Sequence, residues 1–187
     1  MRVPLTLLRG SLLLLICGAL AGCASLSRTE CQAGDWRGIG REDGGHGKTA
    51  AQLQEHRDAC REYGIAPNPA EWERGRQEGL LSYCQPDNGY AEGVAGRSYH
   101  FVCPPQLAPG FERQYRQGRR IYEVNQRIER IDSDLRGKRN ALEKLDKSQD
   151  KDADERRRRL YREISELETQ RAIQVGTRIG IEMSTPH

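Results

Sequence analysis

Residues 121–145 read IYEVNQRIERIDSDLRGKRNALEKL. Ile121, Ile128, Leu135 and Leu142 recur every seven residues, and Val124, Ile131, Lys138 and Leu145 hold the second position of the same repeat. Such a repeat lays one stripe along an α-helix and asks for a second helix to cover it. Lys138 is the charged exception on the stripe. Toward the C-terminus the polar cluster Lys147-Ser148-Gln149-Asp150-Lys151 interrupts the pattern, and Leu160, Ile164 and Leu167 resume it. Two helices joined by so short a loop pack antiparallel. The spacing predicts a first helix of roughly 37 residues from Phe111 and a second of roughly 25, about 55 and 37 Å long. The second would then cover only the stretch from about Val124 to Leu145, leaving Phe111, Tyr115 and Tyr122 to dock on the preceding segment. Asp152, Asp154 and Glu155 suit the positive end of the second helix, and Asp154–Arg158 and Glu155–Arg159 have favourable four-residue spacing. Residues 110–176 are therefore expected to form a coiled-coil hairpin. Residues 177–187 continue no seam and are expected to be a disordered tail.

Toward the N-terminus, Pro104, Pro105 and Pro109 mark a boundary. The segment before them, residues 31–109, reads as a small head. Thr49 and Gln52 have capping-box spacing, and Leu53, His56, Cys60 and Tyr63 follow at helical intervals before Gly64. Asn68, Pro69 and Glu71 supply a cap, a first-turn proline and an acid for a second helix, with Trp72, Gly75, Gly79, Leu80 and Tyr83 along one face. Gln85-Pro86-Asp87-Asn88-Gly89 reads as a turn and Tyr99-His100-Phe101-Val102 as a short strand, which together predict a β-hairpin. The expected fold is mainly α: a small disulfide-stapled helical head with a short β-hairpin, followed by an antiparallel coiled-coil helical hairpin.

Of the 187 residues, 36% are hydrophobic and 6% aromatic, and the opening segment takes a large share of the apolar ones. Arg2 and Arg9 precede an apolar run from Leu12 to Ala21, too short to span a bilayer, which is the form of an export signal over residues 1–22. The run ends Leu20-Ala21-Gly22-Cys23, which resembles the bacterial lipobox. That resemblance implies acylation of Cys23, making membrane attachment lipid rather than protein, with more than one chain for stable anchoring. Ala24 stands where an inner-membrane retention signal would place Asp, so the resemblance also implies the outer membrane, facing the periplasm. Residues 23–30 read as a lipid-anchored polar tether that keeps the head near the bilayer.

Leaving out Cys17 in the leader and Cys23, four cysteines remain: Cys31, Cys60, Cys84 and Cys103. An even set in an oxidising compartment reads as two disulfides. No two lie within the two-to-four-residue spacing of zinc ligands, so no metal is expected. Three connectivities are open. Cys31–Cys60 with Cys84–Cys103 is preferred because each closes a compact local loop, contributing ~2 to 4 kcal/mol.

Asp35-Trp36, Ile39-Gly40, Asp43-Gly44, Gly47, Cys60, Gly75-Arg76, Gly79-Leu80, Tyr83-Cys84, Asn88-Gly89, Gly93, Gly96, Tyr99 and Cys103-Pro104 follow in this order. The pattern resembles the uncharacterised bacterial lipoproteins grouped as domain-of-unknown-function family 2799, over about residues 31–122 of this chain. The resemblance implies location and architecture and brings no activity, substrate or catalytic residue. Within it an aromatic is followed by glycine at Trp36/Gly40, Trp72/Gly75, Tyr90/Gly93 and Tyr115/Gly118. Glycines four apart, Gly40 with Gly44 and Gly75 with Gly79, share a helix face and let two backbones approach, at about 1 kcal/mol each in helix propensity. Tight packing is the favoured reading; a groove receiving an extended peptide or glycan is the sharper one.

The formal charge of +3, from 30 basic and 27 acidic residues, lacks the one-sided field of a nucleic-acid binder, and the compartment excludes that partner. His46, in Asp43-Gly44-Gly45-His46-Gly47, is the best candidate for proton transfer, with Asp43 beside it, although an exposed histidine in a glycine-rich loop is favoured. His56 reads as a packed core histidine. Arg156-Arg157-Arg158-Arg159 with Arg162 could meet acidic envelope polymers, yet a solvated face paired with its own acids is preferred. No catalysis and no cofactor are expected. The expected role is a non-catalytic envelope lipoprotein acting as a structural or interaction module, meeting another envelope protein or itself through the hairpin. The alternative is a periplasmic head for peptidoglycan or another glycan, with Trp36, Trp72 and Tyr90 as stacking faces and Asp43 and His46 nearby.

Overall fold

A computed structural model of the chain describes residues 25–146 and 153–184. The export signal, the acylation site at Cys23 and the polar cluster 147–151 lie outside the described residues. The chain divides into two compact units, one ending at Leu80 and the other beginning at Leu81. The boundary expected at Pro104–Pro109 therefore falls earlier in the chain.

The first unit holds α1 (Arg28–Ala33), α2 (Trp36–Gly45), α3 (Gln52–Arg61) and α4 (Pro69–Tyr83), the last as far as Leu80. The expected tether is part of this unit from Ser25 onward. Ser27 and Glu30 form a reciprocal capping box at the start of α1, and Leu26 is 7% exposed, packed with Cys31, Trp36, Leu53, Cys60 and Trp72. A leucine that can enter a core does not stay in a solvated linker, because burying it contributes about 1.5–3 kcal/mol. Cys31 is bridged to Cys60, tying α1 to α3. The Thr49 cap is not used: α3 begins at Gln52 without a side-chain cap, its first amides satisfied by the carbonyls of Thr49, Ala50 and Ala51. The Asn68 cap is in place, its Oδ1 accepting from the amides of Ala70 and Glu71. The expected glycine-rich loop around His46 is instead the last turn of α2, which runs through Gly44 and Gly45.

What makes that segment helical is the crossing of α2 and α4. A methyl added at Gly40 would lie 2.8 Å from the carbonyl carbon of Trp72, and one at Gly75 would lie 2.8 Å from the amide nitrogen of Arg41. Gly44 faces the backbone of Arg76, and Gly79 that of Arg41 and Gly44. Both glycine pairs are consumed in backbone-to-backbone packing, which only residues without Cβ permit.

The second unit repeats the device. It holds α5 (Pro86–Val94), α6 (Ala108–Asp146) and α7 (Ala153–Met183). Gly93 would meet the Arg119 amide at 2.8 Å, Gly118 the Val94 amide at 2.7 Å, and Gly89 the Phe111 backbone. The expected β-hairpin between Cys84 and Cys103 is absent, and no strand occurs among the described residues. Pro86 sits at the first turn of α5 with Asp87 beside it, a helix start that outweighs the Asn88-Gly89 turn signal once Gly89 packs on α6. Cys84 and Cys103 are joined. In the same unit Phe111 is stacked on Tyr115 and packs at a tilt against Tyr83 and Tyr99, ring centroids 6.1, 5.2 and 4.7 Å away.

α6 and α7 form an antiparallel hairpin. Cross-helix partners descend along one helix as they rise along the other: Asp146 with Arg157, Lys138 with Glu163, Asp132 with Arg171, Arg127 with Gln174 and Gln117 with the Ile181 carbonyl. Lys138 thus finds its counter-ion across the seam, at 2.7 Å. α7 continues to Met183 where a disordered tail from 177 was expected, and Ile181 packs on Ile121 and Val124. The second helix is longer than its seam predicts, because Ile181 extends the contact beyond Gly176 and Gly180. It therefore covers α6 back to Gln117 rather than only to Val124. Asp154 pairs with Arg157, three residues on, rather than with Arg158.

Candidate functional site

The first unit carries a polar network inside its core. His56 Nε2 and Trp72 Nε1 each lie 2.8 Å from Asp43 Oδ2, and His56 Nδ1 lies 2.9 Å from the Ser25 hydroxyl. The indole nitrogen can only donate and an ionised carboxylate can only accept. With a neutral ring, Nε2 must carry its proton toward Asp43, so Nδ1 accepts and Ser25 donates to it. This assignment follows from the network, as tautomers do. The His56 side chain is 3% exposed and that of Asp43 13%. Burial at that depth leaves an unpaired donor costly, so the network locks α2, α3, α4 and Ser25, three residues before α1, together.

Beside it Arg76, also buried, donates through Nε and Nη2 to the Glu73 carboxylate at 2.8 Å each and through Nη1 to the Lys48 carbonyl. Its guanidinium lies over the Trp72 ring. The bond from Arg76 holds the Glu73 carboxyl below the usual carboxylate range. Ser25, Glu30, Asp43, Lys48, Glu55 and His56 are among the residues lining a cleft of about 370 Å³ that opens beside this network.

The sequence-expected site residues are distributed differently from the expectation. Asp43 is engaged by His56 and Trp72; His46 is exposed and its Nδ1 lies 2.9 Å from the Glu42 carbonyl, so the two do not form a proton-transfer pair. Trp72 is 1% exposed and Trp36 8%, which leaves neither ring a face for a sugar. Tyr90 is half-buried, its carbonyl against Gly118. Both tryptophans are thus core residues, packed in one cluster with Leu26, Leu53 and Cys60, while Tyr90 is only half-buried. Sequence reasoning placed His56 in the core, as found, but missed Ser25 and Arg76. Ser25 is 31 residues from His56, and no local pattern links them. The Ser27-x-x-Glu30 capping box was the available sign that this segment is folded.

The second unit carries a groove of about 430 Å³ on the hairpin, lined by Ile131, Leu167 and Ile173 together with Arg127, Arg130 and Asp134. Ile173 is 60% exposed, and Tyr161, Ile179 and Met183 also present apolar surface on α7. Of the basic cluster, Arg157 is held by Asp146 and Asp154. Among the described residues, no group of three or more His, Cys, Asp or Glu side chains could hold a metal ion, and no helix is long and apolar enough to cross a membrane.

Residues 35–120 match the family model described as protein of unknown function (DUF2799). That segment carries the family's domain. The match takes in both glycine-helix crossings and closes two residues after Gly118, so the greater part of the helical hairpin lies beyond it. No curated protein and no solved structure matches the chain.

Proposed function

We infer that this DUF2799 protein is a non-catalytic cell-envelope lipoprotein, held by acylated Cys23 in the outer membrane facing the periplasm, whose helical hairpin is a protein-interaction arm. The observation that carries the reading is the apolar flank of the hairpin. Two helices satisfy their mutual seam through Ile164, Leu135, Val124 and Ile181, yet Ile131, Leu167 and Ile173 remain around an open groove. A two-helix arm covers only one side of each helix, and helices of this kind reach a closed core by adding further helices. The partner is an envelope protein or a second copy. A photo-crosslinking residue in place of Ile173 should give a discrete adduct in cells. A pattern unchanged when residues 124–175 are deleted, with the crosslinker moved to the first unit, would refute the role of the arm.

One observation supports a rival. Ser25, His56 and Asp43 have the hydroxyl–imidazole–carboxylate connectivity of a nucleophilic relay, within the distances that chemistry needs, at the edge of a cleft. In that reading Ser25 attacks an ester carbonyl while His56 Nδ1 takes its proton and returns it to the leaving alcohol. Labelling of Ser25 by a fluorophosphonate, lost in His56→Gln, would establish it in place of the non-catalytic role.

A further inference from the structure

We propose that the first unit lies directly on the bilayer surface, with the cleft lips around Lys48 and Glu55 against lipid headgroups. The inference rests on the acylation of Cys23 and adds to it a position for the folded unit. Three consecutive residues are each fastened to that unit: Ser25 by its hydroxyl to His56, Leu26 by burial among Trp36, Leu53 and Trp72, and Ser27 by the capping box with Glu30. The Cys31–Cys60 bridge then fixes α1 itself to α3. Only Ala24 separates Cys23 from Ser25. Two residues of fully extended chain reach at most ~7 Å, so the acyl-bearing residue cannot stand further than that from the cleft that Ser25 lines.

Charge does not supply this contact, which leaves the short covalent link to do so. Glu30, Glu42, Asp43 and Glu55 outnumber Lys48 around the cleft, so attraction to anionic lipid does not bring this face down. Contact imposed by a short covalent link is insensitive to salt, whereas electrostatic adsorption is screened within about 10 Å at 0.1 M.

The test uses the full acylated chain in phosphatidylcholine vesicles, with benzoylphenylalanine in place of Glu55 or, separately, of Lys48, both exposed. Irradiation should give lipid adducts at both positions, unchanged in high salt. Inserting 20 Gly/Ser residues between Ala24 and Ser25 adds a linker of about 25 Å root-mean-square length. It should cut the adduct yield at least tenfold without releasing protein from the vesicles. Equal yields with and without the insertion, loss of adduct in high salt, or no adduct from acylated protein at either position would overturn the proposal. Intact mass separates the two levels of the argument: a mature chain without acyl groups removes the anchoring reading and this one with it, while an acylated chain that never marks lipid removes only this one.

Discussion

Replacing Gly75 with alanine should destabilise the first unit although alanine is the better helix former. In a helix that allows it, Gly→Ala gains up to about 1 kcal/mol. At Gly75 the new methyl would sit 2.8 Å from both the Arg37 carbonyl carbon and the Arg41 amide nitrogen, and nearer still to the Arg37 oxygen. Carbon contacts relax near 3.5–4.0 Å, so α2 and α4 would have to part by about 1 Å. The obstructing atoms are backbone, and no rotamer can yield. Parting the helices also loosens Gly40, Gly44 and Gly79 and the Trp72–Asp43 bond, placing the cost at the upper end of overpacking, ~3 kcal/mol before the propensity gain. The net expectation is a loss of about 2 kcal/mol. Gly137, Gly176 and Gly180 are the internal control: in each case a methyl would meet nothing within 4 Å. Alanine there should stabilise by about 0.5–1 kcal/mol. Urea denaturation followed by circular dichroism, with the tryptophan signal reporting the first unit, measures both sets. Gly75→Ala as stable as the parent, or Gly137→Ala less stable, would refute the argument that close backbone approach selects these glycines.

Two further outcomes follow from the polar groups. Asp43→Ala strands the His56 and Trp72 donors in the core and should cost about 3 kcal/mol, whereas His46→Ala should stay within about 0.5 kcal/mol; equal effects in the same denaturation assay would contradict the partner assignment. Burial, with a contribution from the nearby Glu92 carboxylate, pushes the Tyr83 phenol up to about 12, while an unfolded tyrosine titrates near 10. Folding therefore favours the protonated phenol: its contribution is complete below about pH 10, declines by roughly 2–3 kcal/mol as pH rises to about 12, and is flat above. Denaturation midpoints across that range should fall for the parent and fall less for Tyr83→Phe, and parallel curves would count against the burial of this ring.

The helical hairpin was legible because its signal is local: a seven-residue repeat needs no knowledge of the rest of the chain. The same holds for the Asn68-Pro69-Glu71 helix start, whose cap bonds span only two and three residues. The end of the hairpin was not, since Gly176 and Gly180 interrupt the pattern before Ile181 restores the contact. Asn88-Gly89 carries a turn signal and Pro86-Asp87 a helix signal, and only the fit of Gly89 on Phe111 decides between them.

By itself, then, the sequence determined a mainly helical chain with a long hairpin and paired cysteines, because periodicity, capping and cysteine parity are properties of neighbouring residues or of simple counts. Tertiary structure decided which cysteines join, which glycine faces meet, and that Ser25, Asp43, His56 and Trp72 share one network. The network joins residues 13 to 31 positions apart, and the glycine faces of the first unit join residues further apart still, where helices cross close enough for backbone to touch backbone.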